Sequence, residues 1–454
     1  MSFRDFITSR LFRRKLRAEF DDFNNIRPPA NPSRRYMDGL VERLLSESQA
    51  RNAHRELEMI GQPAVPSLVA ALNDPRYHQE VARSSVLVEQ PLDLVLQLLV
   101  PHSPADVVAA AAPLIRSSSS TIRKTAAIRL ASLGLEDTVP LLAELLNDPD
   151  GFVRSYVRIG VQRALSEGRS SEGFQNRMYD LLLEQCDQNW EGDVNDAAVA
   201  AIELAPARAA RDFASERWLT PSNPYVYKIL EQCNQAGILL PEQLVRQLLD
   251  YSLPKAVGDR CYPHQYVAAG ALVALAKRLG KEVRPLLETA LNSDQEEIQE
   301  AAGKGIAELS GIDDPVSFVI DLVEAVDFEG LTIPQQTVYC ANLFDVQVCN
   351  GGLMQFFGNS SGDHTVETLE ALRLLGHPEA SRTLERAMSL VGPLARESDR
   401  EMRLAAFEDR YDELLAKFEP LENEYYRTKG LLRQRLLLFA AEHGEHFRKS
   451  TAVS

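Results

Sequence analysis

The chain has 454 residues, of which 45% are hydrophobic and 25% charged, and its formal net charge is −16. This composition indicates a folded chain too long for a single compact domain, and its acidity excludes general affinity for nucleic acid phosphates. Aromatic residues make up only 7%, and segments rich in leucine and alanine favour helices over strands. No apolar run reaches the roughly 18 residues that a membrane span needs. The sequence therefore predicts an all-α protein without a membrane span.

The number and spacing of the cysteines indicate the redox state of the compartment in which the protein works. Five cysteines are scattered along the chain without a C-x-x-C pair. An odd, scattered set indicates reduced thiols rather than a disulfide framework. The first residues also lack the apolar core of a signal peptide. We therefore expect a cytoplasmic protein.

The first 36 residues predict a basic helix followed by a linker. Apolar residues such as Phe6 and Leu11 are interleaved with arginines such as Arg10 at helical spacing, which indicates an amphipathic helix. Two interpretations remain open: the helix docks on the first repeat, or it meets an anionic surface. Residues 24–36 are rich in proline and asparagine and predict an extended linker.

An eleven-residue phrase occurs twice, 74 residues apart: residues 65–75 read VPSLVAALNDP and residues 139–149 read VPLLAELLNDP. Apolar residues at i, i+3 and i+7 form one helical stripe, and Asn-Asp-Pro ends the helix because proline cannot continue it. A helix ended by the same turn at a fixed interval is typical of stacked helix pairs. The stripe positions expected to be buried are Val65, Leu68, Leu72, Val139, Leu142 and Leu146.

A third version of the phrase occupies residues 283–294, and residues 107–118 hold a similar apolar run near the midpoint of the first two copies. The implied period of about 37 residues suits two helices and two turns. This pattern resembles HEAT repeats, including the HEAT-like repeats of bacterial proteins. The resemblance implies an α-solenoid over residues 37–310. Such arrays serve as scaffolds, enzyme subunits and nucleic-acid binders alike, so the fold alone does not give the function.

Residues 294–329 are strongly acidic, with eleven acidic side chains and one base, Lys304. Apolar residues recur within the run, which predicts amphipathic helix rather than a disordered tail. Folded as two helices side by side, the run would present roughly one charge per 2.5 Å, against about 1.7 Å of axis in B-DNA. Two interpretations remain open: a surface for a basic partner, or a solvated helix face. The candidate partner residues are Asp313, Asp314, Asp321, Glu324, Asp327 and Glu329.

Residues 350–362 read NGGLMQFFGNSSG and separate two apolar helical stretches, with a short element predicted to begin at Gln355. The glycines allow the positive φ of a chain reversal. The block has two interpretations: a recognition site, or a buried turn whose phenylalanines enter the core while Gln355 and Asn359 cap helix ends. Further helices are predicted over residues 365–375, 378–390, 401–418 and 422–442.

The N-G-G and Q-F-F phrases, followed by an L-x-x-L-G turn, resemble the bacterial DNA-mimic-protein-like domain, a small all-α family. The resemblance covers about residues 313–447 and implies a smaller all-α domain at 311–454, after the solenoid. The family takes its name from a member whose acidic surface imitates DNA and occupies a DNA-binding protein. The motif positions are Asn350, Gly351, Gly352, Gln355, Phe356, Phe357, Asn359 and Gly362.

These features favour a non-enzymatic interaction or scaffold protein with a protein partner, expected to be basic, and no direct binding of nucleic acid. No phosphate-binding loop or complete set of metal ligands is present, so no cofactor or metal is expected. One alternative is a DNA mimic that sequesters a DNA-binding regulator. A homodimer formed through the C-terminal domain is a further kind of partnership. From another class, Trp190 between two nearby acids leaves open a HEAT-type lyase or DNA glycosylase.

Overall fold

A computed structural model describes residues 27–79, 90–187, 191–258, 262–312, 314–408 and 410–448. Every regular element within these ranges is helical, which confirms the predicted all-α fold class. The predicted N-terminal basic helix, Asp313 and Trp190 lie outside the described residues. The chain divides into two compact units at Ala209.

The first unit is a succession of helix pairs. Pro66 and Pro140 lie in the first turn of the helices that begin at Val65 and Val139. Backbone N–H groups in a first turn have no acceptor within the helix, so proline removes no helical hydrogen bond there. Ser119 and Asp150 begin two other helices, because their side chains accept hydrogen bonds from N–H groups of the first turn. The helices up to the division are α1 (Arg34–Arg43), α2 (Ala50–Ile60), α3 (Val65–Leu72), α4 (Pro91–Leu99), α5 (Pro104–Ala111), α6 (Ser120–Ser132), α7 (Val139–Leu145), α8 (Gly151–Ser166), α9 (Glu172–Gln185) and α10 (Glu191–Leu204), and α11 (Pro206–Phe213) crosses it.

The second helices of successive pairs, α4, α6, α8 and α10, stack in one row, and α7 packs against α9 beside it. The later copy of the repeated phrase is enclosed as predicted, since Val139, Leu142 and Leu146 are all buried. Of the three stripe positions in the earlier copy only Leu68 is buried, and the prediction is wrong for Val65 and Leu72, which are half-buried. The reason is the number of neighbours: α7 lies among α6, α8 and α9, whereas α3 packs in the described chain against α1 and α4.

Buried ion pairs join neighbouring second helices. Arg129 of α6 donates two hydrogen bonds of 2.8 Å to Asp93 of α4. Arg154 and Arg158 of α8 donate to Asp193 of α10 at 2.5–2.9 Å. Burial opposes ionisation of Asp193, yet its hydrogen bonds from the two arginines hold the pKa of this carboxyl below its usual range. These ion pairs therefore favour the neighbours observed, α4 beside α6 and α8 beside α10.

The second unit begins with stacked helices and ends in a helical domain. α12, α14 and α16 stack in a row, and α23, the last α-helix of the described ranges, packs against α16. The helices of this unit are α12 (Val226–Gln235), α13 (Glu242–Ser252), α14 (His264–Leu279), α15 (Arg284–Ala290), α16 (Glu296–Leu309), α17 (Pro315–Val326), α18 (Ile333–Gly358), α19 (Thr365–Leu374), α20 (Pro378–Val391), α21 (Arg400–Glu408), α22 (Tyr411–Tyr426) and α23 (Lys429–Glu442).

Close packing between α16 and α23 joins the stacked helices to the C-terminal domain. A Cβ atom at Gly303 of α16 would lie 3.4 Å from the Cβ atom of Leu437 on α23. The Gln434 side chain donates to the carbonyl of Leu291 at 3.3 Å. The last helix thus covers a face of α16 that a following repeat would cover in a longer array.

The C-terminal domain is built around the bent helix α18. Its two limbs meet at Gly351 and Gly352, and the element predicted to begin at Gln355 is the second limb of this helix. The single tail helix predicted over 401–418 is wrong, since α21 and α22 are separate and α22 continues through Pro420. No glycine or proline lies between α21 and α22, so the sequence gives no local signal for this break. Pro420, which would ordinarily indicate a helix end, lies inside α22.

His377 joins two parts of this domain from a fully buried position. Its Nδ1 accepts a hydrogen bond from the Ala380 N–H at the start of α20, and its Nε2 donates to the Thr428 carbonyl, both at 3.1 Å. The bond at Nδ1 requires the neutral ring, because a protonated Nδ1 cannot accept a hydrogen bond. Burial lowers the pKa of His377 from its usual value, with Arg435 acting in the same direction and the bond to Thr428 opposing them.

We expect Leu146→Ala to lower the free energy of unfolding by about 2–5 kcal/mol, because it opens a cavity at a buried site. Leu72→Ala is the same change at the same position of the phrase, and it should cost less because Leu72 is only half-buried. Urea unfolding followed by circular dichroism measures both values. Equal losses in the two variants would contradict the difference in burial.

The depressed pKa of His377 predicts a pH-dependent contribution to stability. The folded state keeps the ring neutral, so the contribution is complete above the unfolded pKa of about 6.5 and is lost as the pH falls below it. Comparison with His377→Asn, whose amide oxygen can still cap α20, isolates this residue. The difference in unfolding free energy between the two proteins should shrink between about pH 8 and pH 5. A difference that does not change with pH would refute it.

Candidate functional site

The N-G-G block is the bend of α18. Gly352 has φ 74° and ψ −174°, a conformation that favours glycine. The Glu422 side chain of α22 reaches into the bend, where its Oε1 accepts a hydrogen bond from the Leu353 N–H at 2.7 Å. A Cβ atom at Gly352 would lie 2.4 Å from that oxygen. The glycine is therefore needed both for its backbone angle and for the approach of the carboxylate, while Asn350 and Gly351 are exposed.

The Q-F-F phrase divides between core and surface. Phe356 and Phe357 are fully buried, and Phe357 stacks on Phe418 with ring centroids 5.9 Å apart. Gln355 and Asn359 both donate to the side-chain oxygen of Gln347, each at 2.8 Å. The phenylalanines thus lie in the core as the buried-turn interpretation expects. The two amides tie the limbs of the bent helix together rather than capping helix ends.

A buried arginine explains the remaining motif positions. Arg403 of α21 is fully buried and donates to the carbonyls of Phe357 and Asn359, each at 3.0 Å. The same guanidinium forms an ion pair with Asp363. A Cβ atom at Gly362 would lie 2.7 Å from the carbonyl oxygen of Phe357 and 2.9 Å from Nε of Arg403, so a side chain there would disturb the hydrogen bond between these two groups. Arg403 therefore donates hydrogen bonds to carbonyl groups at the end of α18, where helical donors run out.

A second buried charge lies on the first limb of α18. The carboxylate of Asp345 accepts hydrogen bonds from the Tyr425 hydroxyl at 2.8 Å and from Nε of Arg433 at 3.0 Å. Burial and the neighbouring carboxylate together raise the pKa of Tyr425, which therefore remains a hydrogen-bond donor. Cys349 is exposed and donates to the same carboxylate at 3.4 Å. These contacts bind α18 to α22 and α23.

The candidate acidic residues lie on α17 and the loop that follows it. Asp314 begins the helix, since its carboxylate accepts hydrogen bonds from the N–H groups of Val316 and Ser317. All five described members of the set are exposed, and Asp313 lies outside the described residues. No ion pair in the described chain involves the other four, namely Asp321, Glu324, Asp327 and Glu329.

The loop after α17 is held in one conformation. Phe328 stacks on His364 with ring centroids 3.9 Å apart, and the Gln336 side chain donates to the carbonyls of Phe328 and Leu331. Asp327 takes a φ of 59°, which is uncommon for a residue other than glycine. These contacts place the acidic loop against the turn that contains His364, directly after the motif block. The structure thus brings the end of the motif block and the end of the acidic surface into contact.

The acidic run of residues 294–329 is divided between α16 and α17. Glu300 and Glu308 on α16 form ion pairs with Lys304 and Lys277. The four acids from Asp314 to Asp327 extend over about 20 Å of helix, which is roughly one charge per 5 Å along α17. The predicted spacing of roughly one charge per 2.5 Å refers to two acidic helices side by side, whereas α16 packs against α14 and α23, and α17 packs against α18.

Sequence reasoning missed the charged residues that organise this region, which are Arg403, Glu422 and Asp345. Arg403 and Glu422 stand among other charged residues and Asp345 among apolar ones, and no local pattern distinguishes the charged side chain that contacts the interior. In the described ranges, no group of three or more His, Cys, Asp and Glu side chains is arranged to hold a metal ion. No described helix is both long and apolar enough to cross a membrane.

Comparison with known families agrees with both resemblances. Residues 93–166 match the family described as HEAT repeats, and residues 329–443 match the family described as DMP19-like protein. The solved structure of an engineered protein aligns with 82% of this chain and 98% of its own at 14% identity, with a TM-score of 0.28. No curated protein matches the chain. The chain therefore combines HEAT repeats with a DMP19-like domain.

Proposed function

We propose that the chain is a non-enzymatic interaction protein that binds a basic protein partner through the acidic surface of α17 and its loop. The observation that carries this proposal is a set of exposed carboxylates, Asp321, Glu324, Asp327 and Glu329, without ion-pair partners in the described chain. Internal ion pairs would neutralise such charges. Carboxylates without such ion pairs present a negative electrostatic potential to an approaching cation.

Rigidity supports the same conclusion. Asp314 caps α17, and Phe328 fixes the loop that carries Asp327 and Glu329 against His364. A preorganised surface loses little conformational entropy when a partner binds. Four of the five described acids precede residue 329, where the match to the DMP19-like family begins, so that match does not by itself imply the surface.

The spacing of the acids favours an ordinary protein-binding surface over a DNA mimic. Roughly one charge per 5 Å along α17 is about a third of the charge density of B-DNA, which carries one per about 1.7 Å. A regulator that reads closely spaced phosphates would find too few acceptors on this helix. A partner with lysines and arginines spaced along one helix or loop would find enough carboxylates on α17 to pair with them.

The test uses two variants with equal charge change and equal spacing. Asp321→Lys with Glu324→Lys reverses the proposed surface, whereas Glu367→Lys with Glu370→Lys reverses an exposed pair on α19 of the same domain. Affinity capture from a lysate of the source organism, quantified by mass spectrometry, should lose its basic proteins with the first variant and retain them with the second.

Both variants should leave the free energy of unfolding within about 0.5 kcal/mol of the original, because exposed charges seldom move stability much. The association rate of a captured protein should fall as salt rises, since exposed charges are screened beyond about 8–10 Å at physiological ionic strength. Retention of the same basic proteins by Asp321→Lys with Glu324→Lys would reject the proposed function.

A further inference from the structure

Helix α8 of the first unit has apolar residues on two of its sides. The side that faces the core is fully buried, for example at Val157. On the other side Phe152 is 71% exposed, Tyr156 37% and Ile159 43%. A surface helix ordinarily carries polar residues on the side away from the core. Large apolar residues grouped there are typical of a surface that another molecule covers.

The three exposed residues form one row, which we call the α8 row. Phe152, Tyr156 and Ile159 lie at i, i+4 and i+7, so their side chains follow one side of the helix over about 10 Å. Aromatic residues are enriched at the centres of protein interfaces, because each ring buries a large area. The α8 row therefore has both the spacing and the residue types of a binding surface.

Carboxylates border the α8 row on the side of α10. Ser155 donates to Asp196 at 2.8 Å, and Gln162 donates to Glu203 at 2.9 Å. These donors are neutral, so they fix the two carboxylates beside the row without cancelling their charge. Arg158 lies 3.6 Å from Asp196 and offsets part of its charge. Glu203 is exposed and forms no ion pair with any described residue, so it presents its full charge.

Cations lie at the two ends of the row. Nζ of Lys124 on α6 is 5.8 Å from the centroid of the Phe152 ring. Arg163 follows Ile159 by four positions and so continues the same side of α8. Positive charges at either end of an occupant would be repelled. The apolar contact is therefore limited to about two turns, and the positive charges of an occupant belong on the flank that faces α10.

From this arrangement we infer that the α8 row binds an amphipathic helix of a partner protein, with a short apolar row and basic residues along one flank. All the residues involved belong to the first unit, so the inference goes beyond the function proposed for α17. Side chains at i, i+4 and i+7 match the same repeat on a facing helix. The backbone groups of α8 are used within the helix, so it offers no strand edge to an extended peptide.

Three synthetic peptides test this inference on the full chain. Each has about 14 residues, or roughly four turns. The basic peptide has leucines at i, i+4 and i+7, lysines along one flank and alanines elsewhere. The scrambled peptide has the same composition without an apolar side, and the acidic peptide has glutamate in place of each lysine. Fluorescence anisotropy should show that the basic peptide binds at least about tenfold more tightly than the other two.

Variants locate the binding on α8. Phe152→Gln and Ile159→Gln, at the two ends of the row, should each weaken the basic peptide about tenfold, whereas Met59→Gln on α2, a residue that is 48% exposed, should not. Glu203→Lys should also weaken it about tenfold, and Glu184→Lys, at an exposed position of α9, is the matched control for charge. Urea unfolding of each variant shows whether it is folded as the original chain is.

The variant Asp321→Lys with Glu324→Lys separates this inference from the proposed function. It removes carboxylates of α17 and should leave the preference for the basic peptide intact. Loss of that preference in this variant shows that the peptide binds α17 instead, which overturns the inference and supports the proposed function.

Three further results would overturn the inference. One is similar binding of the three peptides, or no measurable binding of the basic peptide below about 1 mM. Another is undiminished binding of the basic peptide by both Phe152→Gln and Ile159→Gln. The third is a dimer seen by light scattering and converted to monomer by Phe152→Gln, because a second copy of the chain would then cover the α8 row.

Discussion

The packing of α23 against α16 is the contact on which the second unit depends. A stack of helices has an apolar face at its end, and that face must be covered for the last helix to be stable. Here the covering helix is the last one of the C-terminal domain. α18 packs against both α23 and α17, so the contact also determines where the acidic helix lies. The binding surface is thus held by the element that closes the stack.

Within the C-terminal domain, charged side chains support an irregular backbone. Glu422 accepts a hydrogen bond from the Leu353 N–H at the bend of α18, and Arg403 donates hydrogen bonds to the carbonyls at its end. A bend and a helix end both leave polar groups without helical partners, and burying such groups unpaired is costly. The sequence block that identifies the family is therefore explained by the fold. The surface proposed to bind a partner uses other residues.

Local patterns in the sequence predicted the features that depend on neighbouring residues. The phrase that ends in Asn-Asp-Pro placed α7 and its buried stripe, and the acidic run placed the exposed side chains of α17. The contacts of Glu422 and Arg403 could not be predicted, because they join residues 69 and 46 positions apart without a local signal.

The buried ion pairs of the first unit have a consequence for how such a chain can change in length. Repeat arrays gain and lose whole units by recombination, and a unit fits wherever its apolar faces meet others. Asp193 of α10 faces Arg154 and Arg158 of α8, whereas Arg129 of α6 faces Asp93 of α4. Loss of α7 and α8 would leave Asp193 buried beside a face of α6 that does not carry Arg129, at a cost of about 3–5 kcal/mol. The repeat number in this part of the chain is therefore constrained by charge.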